Sequence, residues 1–149
     1  MARHRYLCPM RWSDMDAFGH VNNVTFLTYL EEARVDMLFV HAGSEAATEG
    51  LASGIVVARH EIDYRAPLVF RPEPVPIDLW VVQLGTSSFT IGYEVKDDDG
   101  PVYVRAASVM VPYDVQAGRP RRVSAAERQA LSSFVEPAAE PSTESARGS

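Results

Sequence analysis

The chain has 149 residues, of which 46% are hydrophobic and 23% are charged, so it fits one globular domain and leaves little room for a second. Its formal net charge of −6 argues against a broad surface for nucleic acid or an anionic membrane, and it has no apolar run near the roughly 18 residues that span a bilayer. The single cysteine, Cys8, excludes an internal disulfide and is typical of a reducing compartment, so we expect a cytoplasmic protein.

The first predicted element is a strand. Apolar side chains share one parity between Tyr6 and Trp12, which is the pattern of a half-buried strand. Pro9 favours a position at the edge of a sheet, because proline has no N–H to donate to a neighbouring strand. The following segment, Ser13 to Asn23, contains two aspartates, a glycine and two asparagines, and it therefore predicts a loop with turns and a helix cap.

A long helix is predicted from about Val24 to His41, because apolar residues recur there at spacings of three and four. The resulting stripe consists of Phe26, Leu30, Ala33, Met37 and Val40. Asn22 or Asn23 can cap the first turn of this helix, and Gly43 ends it. The small and polar residues from Ser44 to Gly54 predict a loop.

The next part of the chain predicts β-structure. Four strands are expected, at Ile55–Arg65, Val75–Leu84, Ser88–Lys96 and Val102–Val111. A tight turn at Asp97–Gly100 joins the last two, so the later strands are expected to form an antiparallel meander. One helix can cover only one face of such a sheet. The other face and the edges need a partner, which predicts a homodimer or a larger homo-oligomer such as a tetramer.

A short helix and a disordered tail are predicted at the carboxyl-terminal end. Ser124 and Glu127 form a capping-box pattern, which opens a helix that reaches Phe134. The residues after that helix are mainly Pro, Ala, Glu and Ser, a composition typical of disorder. We therefore expect one domain at residues 1–135 and a disordered tail at residues 136–149.

The densest polar chemistry lies between the first strand and the long helix. A helix N-terminus presents unpaired N–H groups and positive dipole character, which can polarise a carbonyl and stabilise an oxyanion. Asp16 stands next to those donors in the sequence, and its carboxylate can attack the carbonyl or activate a water. Acyl transfer needs this combination.

The alternative is structural, because aspartate at a helix entrance is usually a cap or turn former, and a lone histidine such as His20 is more often structural.

Other candidate residues are arginines and serines of the predicted strands and turns. Arg65 can bind an anionic ligand group, although it is as readily a solvated charge on a strand face. The same holds for Arg59, Arg71 and Arg105. Ser87 and Ser88 follow a Gly-Thr turn and can hydrogen-bond a ligand or serve as hairpin residues. The four histidines lack the spacing of metal ligands, so neither a metal nor a cofactor is predicted.

Several short blocks of the sequence carry a resemblance to a known family. They are residues 11–23 (RWSDMDAFGHVNN), 29–34 (YLEEAR), 64–68 (YRAPL), 84–89 (LGTSSF) and 119–121 (RPR). In order and spacing, these blocks resemble the 4-hydroxybenzoyl-CoA thioesterase family of hotdog proteins over most of the chain. The resemblance implies an α+β hotdog fold, in which a curved antiparallel sheet wraps around one long central helix and pairs into dimers with the active site at the interface.

Residue by residue, the resemblance also implies roles in catalysis. The catalytic aspartate of the family falls on Asp16, and the backbone amide that polarises the thioester carbonyl falls on Asn23. His20 and Asn22 would shape the pocket and orient Asp16 or its water. Plant-type acyl-carrier-protein thioesterases share this motif but have an asparagine in their catalytic network where this chain has Phe18, so a CoA substrate is preferred.

The predicted function is therefore hydrolysis of an acyl-CoA thioester to the free acid and CoA. Arg65, Ser87 and Ser88 are predicted as further substrate contacts. One or two of Arg59, Arg65, Arg71 and Arg105 would hold phosphates of CoA, and the sequence does not choose among them. Three alternatives stay open: a hotdog module that binds acyl-CoA without hydrolysing it, a thioesterase that acts on acyl carrier protein, and an unrelated α+β cone with an aspartate base. The first strand precedes the helix, which disfavours the cone. The sequence does not choose the acyl group or between dimer and tetramer.

Overall fold

The structure, a computed structural model, describes residues 3–41 and 43–136. Its strands are β1 His4–Cys8, β2 Ile55–Tyr64, β3 Val75–Leu84, β4 Phe89–Lys96, β5 Val102–Asp114 and β6 Arg119–Pro120. Its helices are α1 Asn23–Val35, which continues as a π-helical segment Asp36–Val40, then α2 Glu45–Ser53 and α3 Ala125–Ser132. A short 3-10 turn spans Trp12–Asp14.

The strands form one antiparallel sheet in the order β1-β3-β4-β5-β2, and β6 adds a short pairing to β5. The predicted meander of β3, β4 and β5 is confirmed by their consecutive pairing. Alternating side chains of β3 and β4 are buried on the face that shares a core with the long helix. The expected α+β arrangement, a curved antiparallel sheet around one long helix, is confirmed.

The long helix is confirmed, but its last turn changes form. Asn22 caps its first turn, because the side chain accepts a hydrogen bond from Val24 N–H at 2.8 Å. The predicted apolar stripe is buried from Phe26 to Met37. Val40, predicted as the last member of that stripe, is 66% exposed. The π-helical segment has more residues per turn than an α-helix, and this shifts Val40 out of phase with the buried face.

Two predicted elements were wrong. The first strand ends at Cys8 instead of continuing to Trp12, because Pro9 stops the pairing with β3 and a 3-10 turn follows. The predicted loop at Ser44–Gly54 contains the helix α2. Ser44 caps α2 by accepting a hydrogen bond from Ala47 N–H at 3.0 Å. Burial of Ala47 and Leu51 then stabilises a helix that is too short to show a clear periodicity.

The carboxyl-terminal helix α3 begins with the predicted capping box, formed by Ser124 and Glu127. Glu127 is fully buried, and Arg121 donates to both of its carboxylate oxygens at 2.8 Å. Arg121 also donates to the Gly50 carbonyl of α2 at 2.9 Å. A Cβ on Gly50 would lie 2.9 Å from Glu127 Oε2, so glycine is required for this close approach. The ion pair thus joins α2 to α3.

The end of the predicted domain is only partly within the described residues. Glu136 N–H donates to the Val81 carbonyl at 2.9 Å, so the first residue of the predicted tail is held against β3. Residues 137–149 of that tail lie outside the described residues, and the boundary at residue 135 stays a prediction. Across the residues that the structure does describe, no helix is both long and apolar enough to cross a membrane.

Strand β2 is an edge of the sheet, with β5 on one side and no strand on the other among the described residues. Most of its side chains are exposed, including the apolar Val56 at 41%, Val57 at 38% and Tyr64 at 50%. A long edge strand with exposed apolar side chains is suited to pairing with another chain.

We predict that Arg121→Ala lowers the free energy of unfolding by about 3 kcal/mol at neutral pH, because it leaves the buried Glu127 carboxylate without its partner. Burial alone would raise the pKa of Glu127, but the hydrogen bonds from Arg121 and Ser124 outweigh it and lower the pKa. A carboxyl group whose pKa is lower in the folded than in the unfolded protein stabilises the fold at pH values above its ordinary pKa. This contribution is lost as the pH falls through the pKa of the folded state. Denaturant unfolding at several pH values should therefore show that the difference in free energy of unfolding between the wild type and Arg121→Ala becomes smaller at acidic pH.

Arg122→Ala is the matched control, since this neighbouring side chain is exposed and makes no hydrogen bond with a described residue. We expect its free energy of unfolding to stay within about 0.5 kcal/mol of the wild type. Equal losses for the two variants would contradict the importance of the buried pair.

Candidate active site

A tight loop connects the 3-10 turn to α1 and carries the candidate residues. Asp16 N–H donates to the His20 carbonyl at 2.9 Å, and Gly19 N–H donates to the Asp16 carbonyl at 3.0 Å. Gly19 has a φ of +80°, a conformation that favours glycine. The loop therefore closes on itself, with Asp16 at its start and His20 at its end.

Asp14 anchors this loop to the central helix. It is only 4% exposed, although the sequence predicts a loop of turns and caps in this segment. Its carboxylate accepts hydrogen bonds from the Tyr29 hydroxyl at 2.5 Å and from Arg11 N–H at 2.9 Å. Its backbone carbonyl accepts from Asn22 N–H at 3.0 Å. Burial, and next the hydrogen bond to Asp14, raise the pKa of Tyr29, so this hydroxyl stays protonated and donating.

The segment after β2 packs against the same helix end. The Tyr64 hydroxyl donates to the Asn23 carbonyl at 2.9 Å. Val21 N–H donates to the Leu68 carbonyl at 2.8 Å. These two hydrogen bonds join residues that are more than forty positions apart, and they close one side of a pocket.

The pocket has a volume of about 600 Å³ and lies at the N-terminus of α1. It is lined by Asp16, Phe18, His20, Val21, Asn23, Phe26, Tyr64, Arg65, Ala66 and Pro67. Four residues predicted from sequence are thus brought together: Asp16, His20, Asn23 and Arg65. Asn22 does not line the pocket, because its side chain is used to cap the helix.

Asp16 and Asn23 present complementary groups in this pocket. Asp16 is partly buried, and its Oδ1 accepts a hydrogen bond from Phe18 N–H at 2.9 Å. Its other carboxylate oxygen has no donor among the described residues. Asn23 is the first residue of α1, and its N–H has no acceptor within residues 3–41 and 43–136. An available carboxylate oxygen and an available helix N-terminal donor therefore share one pocket.

Arg65 differs from the other candidate arginines in its ionic contacts. The nearest carboxylate oxygen, Asp63 Oδ2, is 4.0 Å away, and the side chain is 49% exposed. The other three are committed to carboxylates: Arg59 to Glu61, Arg71 to Asp97 and Arg105 to Glu94. Of the four, Arg65 alone lines the pocket and lacks a close ion pair with a described residue.

Ser87 and Ser88 do not lie at this pocket. They form the turn between β3 and β4, where Gly85 N–H donates to the Ser88 carbonyl at 2.8 Å. The pairing of Phe89 with Met110 places that turn at the Val57 end of β2, whereas the pocket lies at the Tyr64 end. Within one chain the two serines therefore lie away from the pocket that contains Asp16.

Sequence reasoning missed Tyr64 and Pro67 as pocket residues. They belong to the block YRAPL, which the family resemblance had marked, but no local spacing connects residue 64 with residue 16. Only the pairing of β2 with β5 and the hydrogen bond to Asn23 place Tyr64 at the helix N-terminus.

The chain is similar to known proteins over this whole region. A sequence model described as the thioesterase-like superfamily matches residues 10–131, which include every residue that lines the pocket. The uncharacterized protein YsmA of Bacillus subtilis (strain 168) is 31% identical over 110 residues, or 74% of this chain and 72% of that protein.

Solved structures give the same picture. A predicted thioesterase from Bacillus stearothermophilus is 25% identical with a TM-score of 0.76, and the match covers 93% of this chain and all of that one (100%). A thioesterase complexed with coenzyme A and Zn from Thermus thermophilus is 31% identical with a TM-score of 0.71, over 87% of this chain and 92% of that one. Sequence and fold comparisons therefore agree.

We predict that Tyr29→Phe lowers the free energy of unfolding by about 2 kcal/mol, because it removes a hydroxyl donor from the buried Asp14 carboxylate. Tyr6→Phe is the control, since the Tyr6 hydroxyl makes no hydrogen bond with a described residue. Chemical denaturation followed by circular dichroism measures both. Equal stabilities for the two variants would contradict the anchoring role of Asp14.

Proposed function

We propose that this protein cleaves acyl-CoA thioesters in the pocket beside Asp16. The chain belongs to the thioesterase-like superfamily and is a thioester hydrolase. The observation that carries this proposal is the shared pocket of an available carboxylate, on Asp16, and an available helix N-terminal amide, on Asn23. The similarity to a thioesterase that was solved with coenzyme A supports CoA as the carrier.

In the proposed reaction the thioester carbonyl oxygen accepts a hydrogen bond from Asn23 N–H. The dipole of α1 adds positive potential at the same position. Both effects strengthen as negative charge develops on that oxygen in the transition state, and this difference lowers the barrier. Asn22 contributes indirectly, because its cap on Val24 N–H fixes the first turn of the helix.

Asp16 then supplies the attacking group by one of two routes. In the first, a carboxylate oxygen attacks the carbonyl carbon, the C–S bond breaks, CoA leaves as its thiolate, and water hydrolyses the resulting mixed anhydride. In the second, Asp16 takes a proton from water, whose oxygen attacks the carbonyl while the C–S bond breaks. Phe18 N–H holds one carboxylate oxygen in either route and leaves the other available. His20, at the pocket wall, would orient Asp16 or the water.

We propose Arg65 as a contact for a phosphate of CoA. Arg65 lines the pocket, and its guanidinium has no carboxylate closer than 4.0 Å among the described residues. A charged donor without a close intramolecular partner is suited to an anionic ligand. We also propose the cytoplasm as the location of the enzyme, where the buried Cys8 would stay reduced.

We further propose that two copies pair through their β2 edges. In an antiparallel pairing about a two-fold axis, the Ile55 end of one β2 meets the Tyr64 end of the other. The turn with Ser87 and Ser88 lies at the Ile55 end, so it would approach the pocket of the partner chain. This arrangement would recover a substrate-binding role for the two serines. It allows either a dimer or a tetramer built from two dimers.

We predict that Asp16→Asn lowers kcat for acyl-CoA hydrolysis by about a hundredfold or more, because the amide can neither attack the carbonyl nor accept a proton from water. Release of free thiol from a panel of acyl-CoA thioesters measures the effect. Asp99→Asn, at the exposed turn between β4 and β5, is the matched control and should keep wild-type kcat. Tight acyl-CoA binding without turnover in the wild type would favour the non-catalytic alternative, and turnover only with acyl carrier protein would favour the carrier-protein alternative.

We predict that Arg65→Met raises KM for acyl-CoA about tenfold with little change in kcat, because one charge-assisted contact to phosphate is lost. An acyl thioester of N-acetylcysteamine, which has no phosphate, should show the same KM with both proteins. Arg59→Met is the control, since Arg59 already pairs with Glu61. An equal rise in KM for the phosphate-free substrate would argue against phosphate binding by Arg65.

We predict that the protein is a dimer or tetramer, and that Val57→Lys shifts it toward monomers by placing a charge at the β2 edge. Light scattering coupled to size-exclusion chromatography measures the mass. Val69→Lys, an exposed valine outside β2, should leave the mass unchanged. A fully active wild-type monomer would contradict pairing through β2.

A further inference from the structure

Three potential metal ligands meet at the end of the central helix that is opposite to the pocket. They are His4 of β1, Asp36 of the π-helical segment and His41, and their donor atoms all lie within 4.8 Å of one another. His4 Nε2 is 2.7 Å from Asp36 Oδ2, and His41 Nδ1 is 3.5 Å from the same oxygen. In the part of the chain that the structure describes, no second group of three such donors is found.

The π-helical turn brings two of these donors to the same side of the helix. His41 N–H donates to the Asp36 carbonyl at 3.1 Å, a bond that spans five residues. In a regular α-helix, residues five apart point about 140° away from each other. The wider π turn reduces that angle and places His41 over Asp36. Single π turns are rare, and they occur frequently at functional sites.

The three donors have the chemistry and nearly the spacing of a zinc site. Two imidazoles and one carboxylate form a ligand set that Zn²⁺ and Co²⁺ accept. Bonds of about 2.1 Å place the ligand atoms of a tetrahedral site roughly 3.4 Å apart. The separations from Asp36 Oδ2, 2.7 and 3.5 Å, lie on either side of that value. The three donor atoms together span up to 4.8 Å, so binding requires a small movement of a side chain. The His41 side chain is 52% exposed, so a fourth position is open to water.

The surroundings of Asp36 favour a cation. A hollow of about 320 Å³ beside Asp36 is lined by Tyr6 and by two further carboxylates, Glu31 and Glu32. Burial, and next the negative charge of Glu32, raise the pKa of the Tyr6 hydroxyl at this place. Without an ion, both imidazoles lie within hydrogen-bonding distance of Asp36: His4 Nε2 is 2.7 Å from its carboxylate, and His41 Nδ1 is 3.1 Å from its backbone carbonyl.

We propose that His4, Asp36 and His41 bind one divalent transition metal ion of the Zn²⁺ class, which ties β1 to the end of the central helix. The proton in the hydrogen bond between His4 and Asp36 is released when the metal binds, since each donor atom must offer a lone pair to the ion. The site lies about 25 Å from Asn23 along the helix, so the ion stabilises the fold and takes no part in thioester cleavage.

Titration of the metal-free, full-length protein with Co²⁺ and Zn²⁺ tests this proposal. We expect one equivalent of Co²⁺ to give the visible absorption of a tetrahedral site and Zn²⁺ to displace it. Zn²⁺ should also raise the Tm, because it binds the folded state preferentially. His41→Ala and Asp36→Asn should each weaken binding by at least about tenfold.

His20→Ala is the matched control for loss of an exposed histidine, and it should bind Co²⁺ as the wild type does. Failure of the wild type to bind Co²⁺ or Zn²⁺ would overturn the proposal and leave a simple hydrogen-bonded pair. Binding that is unchanged in His41→Ala and Asp36→Asn, or that is lost in His20→Ala, would also overturn it by placing the ion elsewhere.

Discussion

The hydrogen bond between the Tyr29 hydroxyl and the buried Asp14 carboxylate fixes the loop that carries Asp16 to the helix that carries Asn23. A single oxyanion donor contributes about 3 kcal/mol to a transition state, and only when it points at the developing charge. In the proposed mechanism, the relative position of the Asp16 carboxylate and the Asn23 amide therefore decides whether the pocket can catalyse. A buried charge with specific donors resists displacement, because moving it away from them leaves it unsolvated.

The sheet completes the pocket from the other side. The Tyr64 hydroxyl bonds to the Asn23 carbonyl, and Val21 N–H bonds to the Leu68 carbonyl, so the helix N-terminus is held by the loop before it and by the segment after β2. The same β2 is an edge strand with exposed apolar side chains. Pairing of this edge with a second chain would link assembly to the site, because the wall of the pocket at Tyr64 belongs to the strand that pairs.

The sequence could predict those features of the fold and the site that depend on interactions between residues close together in the sequence. The alternation of β4 and the apolar stripe of α1 are local patterns, so these elements were predictable. Asp16, His20 and Asn23 lie within eight residues of sequence, so their position in one pocket was predictable too. Helix α2 was missed because it is stabilised by burial of Ala47 and Leu51 and by packing against α3, which is distant in the sequence. The burial of Asp14 depends on Tyr29, fifteen residues away, and the approach of His4 to His41 depends on a π turn. Contacts of this kind produce no pattern in the spacing of neighbouring residues along the sequence.

The most direct test of this account is the infrared stretching frequency of a thioester carbonyl labelled with carbon-13 and bound to the Asp16→Asn variant. That variant should bind acyl-CoA without cleaving it, while the Asn23 N–H stays available at the helix N-terminus. Polarisation of the carbonyl by this donor predicts a shift to lower frequency relative to the same thioester in water. A bound carbonyl whose frequency is unchanged or higher would contradict the claim that the helix N-terminus activates the substrate.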